Sequence, residues 1–173
     1  MNCLSTFETI QKRRSIRKYK AKQVENEKVE KILEAARLGP SAANKQPCHF
    51  IVVTDEKAKE TLRTAYNADW FLQAPVIIVG CVDAKQSWHK MQGGEYWKVD
   101  LAIAMQNMIL TATELDLGTC WIAAFKEKAA KKALNIPKDI RVVAMTPLGY
   151  PDEEKGPITD RKPLSKMAHY NKW

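Results

Sequence analysis

Along the chain, segments with a single apolar stripe alternate with short runs that are apolar throughout, which predicts four strands separated by helices. From about Asn26 to Leu38, Val29, Ile32, Leu33 and Ala36 recur on one helical face, and Gly39 supplies the stop. Ser5 or Thr6 can cap a shorter helix through Phe7 and Ile10. His49–Thr54 reads as a buried strand, and Val76–Val82, introduced by Pro75, is too apolar for an edge and reads as a central one. Asp55–Tyr66 has the pattern of a charged surface helix. Gly118–Phe125 predicts a strand and turn, Lys126–Leu134 a basic helix that stops before Pro137, and Ile140–Met145 a fourth strand. These elements define an α+β or α/β class with the strand order open.

Lys98–Leu115 differs from the other helices because Leu101, Ala102, Ile103, Ala104 and Met105 are consecutive. A helix apolar on more than one face calls for burial all round, in a domain centre or against a second subunit. With 173 residues to surround it, a dimer is the expectation. That length suits one domain spanning 1–173, since such a chain buries roughly two-thirds of its unfolded surface. Asp100, Gln106 and Asn107 interrupt this helix, so it falls short of the ~20 mainly apolar residues of a membrane span.

Charge changes the picture most between Lys12 and Lys22, where seven of eleven residues are Lys or Arg and none is acidic. Guanidinium forks match phosphate and other planar oxygen acceptors two bonds at a time, so Arg13-Arg14-Ser15-Ile16-Arg17 reads as an anion site. The anion has three sources: a small-molecule phosphate, a nucleic-acid backbone, or the protein's own carboxylates on a solvated face. Ser15 adds a short hydroxyl suited to a specific polar contact. The net charge of +8 attracts polyanions generally and keeps nucleic acid as the rival.

Three further stretches carry candidate chemistry. Gly39-Pro40-Ser41-Ala42-Ala43-Asn44-Lys45-Gln46-Pro47 is bracketed by turn formers and rich in small and amide side chains, at the edge of a buried strand where binding groups can be aimed. Gln86–Trp97 sets two tryptophans beside Gly93-Gly94 and reads as a lid or a hydrophobic corner. Pro151–Trp173 has little periodicity, yet Leu164, Met167, Tyr170 and Trp173 argue that it docks on a surface and carries Arg161-Lys162 there. Cys3, Cys48, Cys81 and Cys120 are widely spaced and, with no secretory signal, read as reduced thiols of a cytoplasmic protein. His49, His89 and His169 are scattered, and no metal site is expected.

Taken together and in this order, the Arg13–Arg17 stretch, the Gly39–Pro47 loop, the buried helix running into Gly118-Thr119-Cys120-Trp121-Ile122, and Arg161-Lys162 before an aromatic tail resemble the FMN-dependent nitroreductase family over nearly the whole chain. The resemblance implies a three-layer fold, a central, mostly antiparallel sheet flanked by helices. It also implies a homodimer whose extended C-terminal segments embrace the partner, with two non-covalent FMN molecules at the interface. On this resemblance Arg13, Arg14, Ser15 and Arg17 form the first FMN motif, with Arg17 on the phosphate and Arg14 and Ser15 near the pyrimidine edge. Pro40, Ser41, Ala42, Asn44 and Gln46 would reach the flavin from the other subunit, and Asn67 would face the ring. Trp121, Ile122, Ala123 and Ala124 would line it from behind, and Arg161 with Lys162 would complete the phosphate site. Cys48 stands where the family usually has Trp after Gln-Pro.

The implied activity is that of an FMN-dependent NAD(P)H oxidoreductase, taking hydride from NADH or NADPH and passing it to a nitroaromatic, quinone or enone by a ping-pong mechanism. No side-chain acid or base is obligatory, because the flavin carries the hydride. The chain has no G-x-G-x-x-G, so a built-in nicotinamide fold is not expected. A reductive dehalogenase or enone reductase is the specialised variant. A nucleic-acid module using Lys12–Lys22 and Lys126–Lys132 is the rival of another class, and it predicts steep salt dependence; it leaves the polar loop and the tail without a role, so neither nucleic acid nor membrane is expected as a partner.

Overall fold

The computed structural model describes residues 4–89 and 93–173. Its strands are β1 (Cys48–Val53), β2 (Val76–Asp83), β3 (Gly118–Thr119) and β4 (Ile140–Gly149), joined antiparallel in the order β1-β2-β4-β3. β2 is therefore interior, as its composition requires. Val76, Ile78 and Val82 face one core while Ile77, Val79 and Cys81 face the other, each 2% exposed or less. A strand covered on both faces has no polar side to show, so its apolar run is unbroken.

The first core is closed by α2 (Asn26–Arg37) and α5 (Trp97–Glu114), the second by α3 (Glu56–Thr61), α4 (Asp69–Leu72) and α6 (Glu127–Ala133). The result is an α+β arrangement of three layers. α5 lies close to the sheet at Gly80, where a Cβ would stand 2.9 Å from the Met105 sulfur. Ahead of these elements, α1 (Thr6–Lys12) starts in a capping box: Ser5 Oγ accepts from the Glu8 N–H at 3.2 Å, and the Glu8 carboxylate accepts from the Ser5 N–H at 2.7 Å.

Several elements differ from the periodicity in extent. β4 runs past Met145 to Gly149, and the strand expected over 118–125 keeps two residues of ladder. The ladder breaks because the Cys120 N–H turns to the Thr146 hydroxyl at 3.2 Å; a single bridge then resumes at Ile122 and Met145. The charged helix of 55–66 divides into α3 and a 3₁₀ turn over Leu62–Thr64. Trp88 and Tyr96 pack edge to face at 5.2 Å as a hydrophobic corner, while Lys90, Met91 and Gln92 of that segment, like Cys3, lie outside the described residues. No helix among the described residues is long and apolar enough to cross a membrane.

Among the described residues, apolar surface stays open at two places that the sequence expected to be covered. α5 buries Leu101, Met105, Met108 and Ala112 in the first core but leaves Val99 41% exposed, with Ala102 and Gln106 outward beside it. The terminal segment leaves Leu164, Met167, Tyr170 and Trp173 between 68% and 101% exposed. Within one chain, therefore, α5 is not buried all round, and Leu164, Met167, Tyr170 and Trp173 of the tail stay uncovered.

Candidate functional site

The basic stretch is held extended between two neighbours. Arg13 ends α1, its N–H still bonded to the Thr9 carbonyl at 3.0 Å, and leaves at φ −56°, ψ 124°. Ser15 then bridges Thr119 in parallel, with the Ile16 N–H on the Thr119 carbonyl at 2.9 Å. That approach depends on Gly118, where a Cβ would lie 2.7 Å from the Ile16 Cβ. On the other side, the chain leaving β4 returns along the stretch. Lys20 N–H meets the Tyr150 carbonyl and Asp152 N–H the Lys18 carbonyl, both at 2.9 Å, and Lys155 Nζ meets the Ser15 carbonyl at 2.7 Å. Glu153 accepts the Arg17 N–H at 2.5 Å and pairs with Lys155 at 2.9 Å. Burial works to raise its pKa, but the Arg17 N–H and the Lys155 ammonium outweigh this and hold it below the usual carboxylate value.

The structure sorts the seven cations into two kinds, three lysines with a carboxylate partner and four cations, Lys20 and the arginines, without one among the described residues. Lys12 is paired to Asp116 at 2.6 Å, Lys18 to Asp152 at 2.9 Å and Lys22 to Glu25 at 3.5 Å. The guanidinium groups of Arg13, Arg14 and Arg17 have no carboxylate partner among the described residues. Arg17 instead lies over the Trp70 ring, 5.8 Å from its centroid. The solvated-face reading thus fits Lys12, Lys18 and Lys22 and fails for the three arginines.

Asn67 and the 121–124 segment border the same end of the sheet. Arg63, paired to Glu60 at 2.6 Å and Asp69 at 2.7 Å, donates to Asn67 Oδ1 at 3.3 Å and so orients that amide. The Lys126 N–H meets the Ala65 carbonyl at 3.0 Å, which ties the 121–126 loop to the turn before Asn67. Ile122 is buried and exchanges two backbone hydrogen bonds with Met145, each 2.9 Å, whereas Trp121, Ala123 and Ala124 are exposed.

The Gly39–Pro47 loop lies elsewhere, ahead of the opposite edge strand. It is folded largely on itself: Ser41 Oγ accepts the Gln46 N–H at 2.9 Å, and the Asn44 N–H meets the Ser41 carbonyl at 2.9 Å. Ala43, Asn44 and Gln46 sit at φ 51°, 53° and 49°, three left-handed positions without a glycine, with Lys45 between the last two at φ −71°. The loop is fastened below by Asp100 Oδ1, which accepts the Ala42 N–H at 2.9 Å. A cavity of about 200 Å³ beside it is lined by Leu33, Ser41, Gln46, Cys48, Phe50 and Asp100, among others. Burial, followed by the Asp100 charge, pushes the Cys48 thiol up to about 12.

Comparison with known proteins adds the decisive observation. The family model described as "Nitroreductase family" matches residues 10–66 and 59–150. The chain belongs to the nitroreductase family. It is 39% identical over 158 residues to a protein of Archaeoglobus fulgidus provisionally named NADH dehydrogenase/NAD(P)H nitroreductase, across 88% of this chain and 87% of that one. A nitroreductase family protein of Clostridium difficile 630 superposes at a TM-score of 0.91 with 29% identity, covering 98% and 100% of the two chains. An FMN-dependent nitroreductase of Clostridium difficile R20291 does so at 0.84 with 34% identity, covering 96% and 99%.

Within this nitroreductase-family chain, the structure gathers Arg13, Arg14, Ser15, Arg17, Asn67 and Trp121–Ala124 toward the β3 edge, and sets Pro40, Ser41, Ala42, Asn44 and Gln46 at the β1 edge. Arg161 and Lys162 are on the exposed terminal segment, and among the described residues no hydrogen bond or ion pair joins them to the arginines. Sequence reasoning missed Glu153, Lys155, Trp70 and Asp100. The last had a signal, an acidic residue directly ahead of the apolar run 101–105 of α5, where a carboxyl group is buried only for a reason.

Proposed function

We propose that this nitroreductase-family chain is an FMN-dependent NAD(P)H oxidoreductase that works as a homodimer, each FMN being held by the arginine stretch of one subunit and the 40–46 loop of the other. The observation that carries this reading is the charge sorting at 12–22. Three guanidiniums stand without carboxylates in a frame of hydrogen-bonded backbone, as a dianionic phosphate and the pyrimidine edge of a flavin require. Arg13, Arg14, Ser15 and Arg17 would hold the cofactor, with Asn67 at the ring and Trp121, Ala123 and Ala124 offering an exposed surface behind it.

The two-subunit arrangement is supported by the separation of the residues. β1 and β3 are opposite edges of a four-stranded sheet, about 14 Å apart at the usual strand spacing. The 40–46 loop of a chain is therefore poorly placed for that chain's own arginines and well placed to serve a partner. The open face of α5 and the uncovered aromatic tail give a second copy apolar surface to cover, and the tail would bring Arg161 and Lys162 toward the phosphate.

FMN, when bound, supplies two-electron hydride transfer between a reduced nicotinamide and an organic acceptor such as a nitroaromatic, quinone or enone, and one open ring face serving both in turn gives ping-pong kinetics. The chain's own contribution is positional and electrostatic. Fixed guanidiniums at the pyrimidine edge favour extra negative charge there, and the backbone clip through Glu153 keeps Arg17 in place. Proton donation need not come from a side chain.

The test is the visible spectrum of the purified protein before and after NADH or NADPH is added without oxygen. A flavin spectrum that bleaches with one donor supports the reading and identifies the donor. A colourless protein that takes up no added FMN overturns it.

A further inference from the structure

We propose that Asp100 is the positioning residue of the cofactor loop: by accepting the Ala42 N–H, its buried carboxylate holds residues 41–46, three of them left-handed, in the shape in which they meet the flavin. This inference rests on the proposed role of that loop at FMN.

Asp100 sits in the first turn of α5 and is 1% exposed. Oδ1 takes the Ala42 N–H at 2.9 Å; Oδ2 is buried with no hydrogen-bond partner among the described residues. A carboxyl group in an apolar setting with one donor on two oxygens opposes folding, although the helix N-terminus offsets part of this. Leucine or alanine would suit the surrounding core better, so the residue's use must lie in what Oδ1 holds.

What it holds is a loop that cannot place itself. Between Pro40 and Gln46 the bonds of Ser41, Asn44, Lys45 and Gln46 all run within the loop. Among the described residues, the Asp100 contact is the one hydrogen bond from that stretch to another element. The internal bonds set the loop's shape, and the external one sets where that shape sits on the body of the protein. Ala43, Asn44 and Gln46 each occupy the left-handed region that residues with a Cβ avoid. Released from Asp100, the loop has every local reason to relax toward ordinary backbone angles, and its amides would no longer converge on one ligand.

The experiment uses the full-length protein and FMN itself. Dissociation constants are read by flavin fluorescence titration, and deuterium uptake of the 40–47 segment is read on flavin-free protein. Asp100→Ala should weaken FMN binding tenfold or more and accelerate exchange in 40–47, with β1 and β2 unchanged. Asp100→Asn keeps an acceptor oxygen at the same place and should stay within about threefold of the parent. Ala42→Pro deletes the donated N–H at the first position of a 3₁₀ turn, where proline is tolerated. It should reproduce the Asp100→Ala loss without touching the core, and it decides the matter if Asp100→Ala does not fold. Parent-like affinity in Asp100→Ala and Ala42→Pro overturns the proposal and leaves the flavin reading standing. So does weakened binding with unaltered exchange, or an Asp100→Asn protein as weak as Asp100→Ala. A parent protein with no FMN affinity overturns the flavin reading first, and this one with it.

Discussion

The Glu153 carboxylate accepts the backbone N–H of Arg17 at 2.5 Å, across 136 residues of sequence. An acidic group thereby stabilises the most basic stretch of the chain without neutralising it, since the bond goes to the backbone and not to the guanidinium. Glu153→Gln keeps an acceptor but loses the charge, which should cost at most about 1 kcal/mol at neutral pH for a partly exposed group. The carboxyl is held below its ordinary value of 4.5. Its contribution is therefore complete above that pH and disappears as pH falls through the lower folded-state value. Urea midpoints measured from pH 7 to pH 3 should fall less steeply for Glu153→Gln than for the parent; identical slopes would show that the clip carries no linkage.

Arg17→Ala removes a charge-assisted contact to the cofactor phosphate. FMN affinity should fall by about 1.5–3 kcal/mol, roughly ten- to over a hundredfold, as read by fluorescence titration. Lys18→Ala, next to it but paired with Asp152, should change affinity little. Equal losses in both would mean that general positive charge, and not a built site, binds the anion.

Gly118→Ala puts a methyl group 2.7 Å from the Ile16 Cβ. Such overpacking should destabilise the protein by about 1–3 kcal/mol and push the arginine stretch off β3. Adding Ile16→Ala should recover part of the loss in chemical denaturation. A double variant no better than Gly118→Ala would place the strain elsewhere.

Ending the chain at Gly156 removes Leu164, Met167, Tyr170 and Trp173, all exposed on the single chain. Far-UV circular dichroism should keep the sheet and helix signature while sedimentation shows a weaker dimer and the purified protein retains less flavin. A truncated protein that stays dimeric and yellow would refute an embracing tail.

Cys48 and Cys81 are both pushed up to about 12, burial being the main cause, with the Asp100 charge adding at Cys48 and Glu127 at Cys81. Neither thiol should be alkylated by iodoacetamide at pH 8 in the folded protein, and both should react in urea, as mass spectrometry would show. Modification of native Cys48 would mean that the cavity beside the 40–46 loop opens.

Much of this was legible without coordinates, and the elements read well are those governed by neighbours in the chain. The stripe of Val29, Ile32, Leu33 and Ala36 gave α2 within a residue of its end. The unbroken run of β2 announced a strand covered on both faces, and the turn formers around 39–47 announced a structured loop. Where a tertiary bond overrode the local pattern, the reading slipped: at Cys120, whose N–H goes to a side chain, and at β4, which continues to Gly149.

The sequence by itself determined most of the elements and the two stretches that carry the candidate chemistry, and narrowed the class to α+β or α/β, because periodicity, turn residues and charge density act over a few residues. Only the tertiary structure decided which charges remain unpaired, since Lys12 meets Asp116 and Lys18 meets Asp152 across the whole fold. It alone set the arginines and the 40–46 loop at opposite edges of the sheet, and brought Asp100 beneath Ala42 from 58 residues away. Strand order and long-range pairing depend on how two cores close around β2, and no local pattern encodes that.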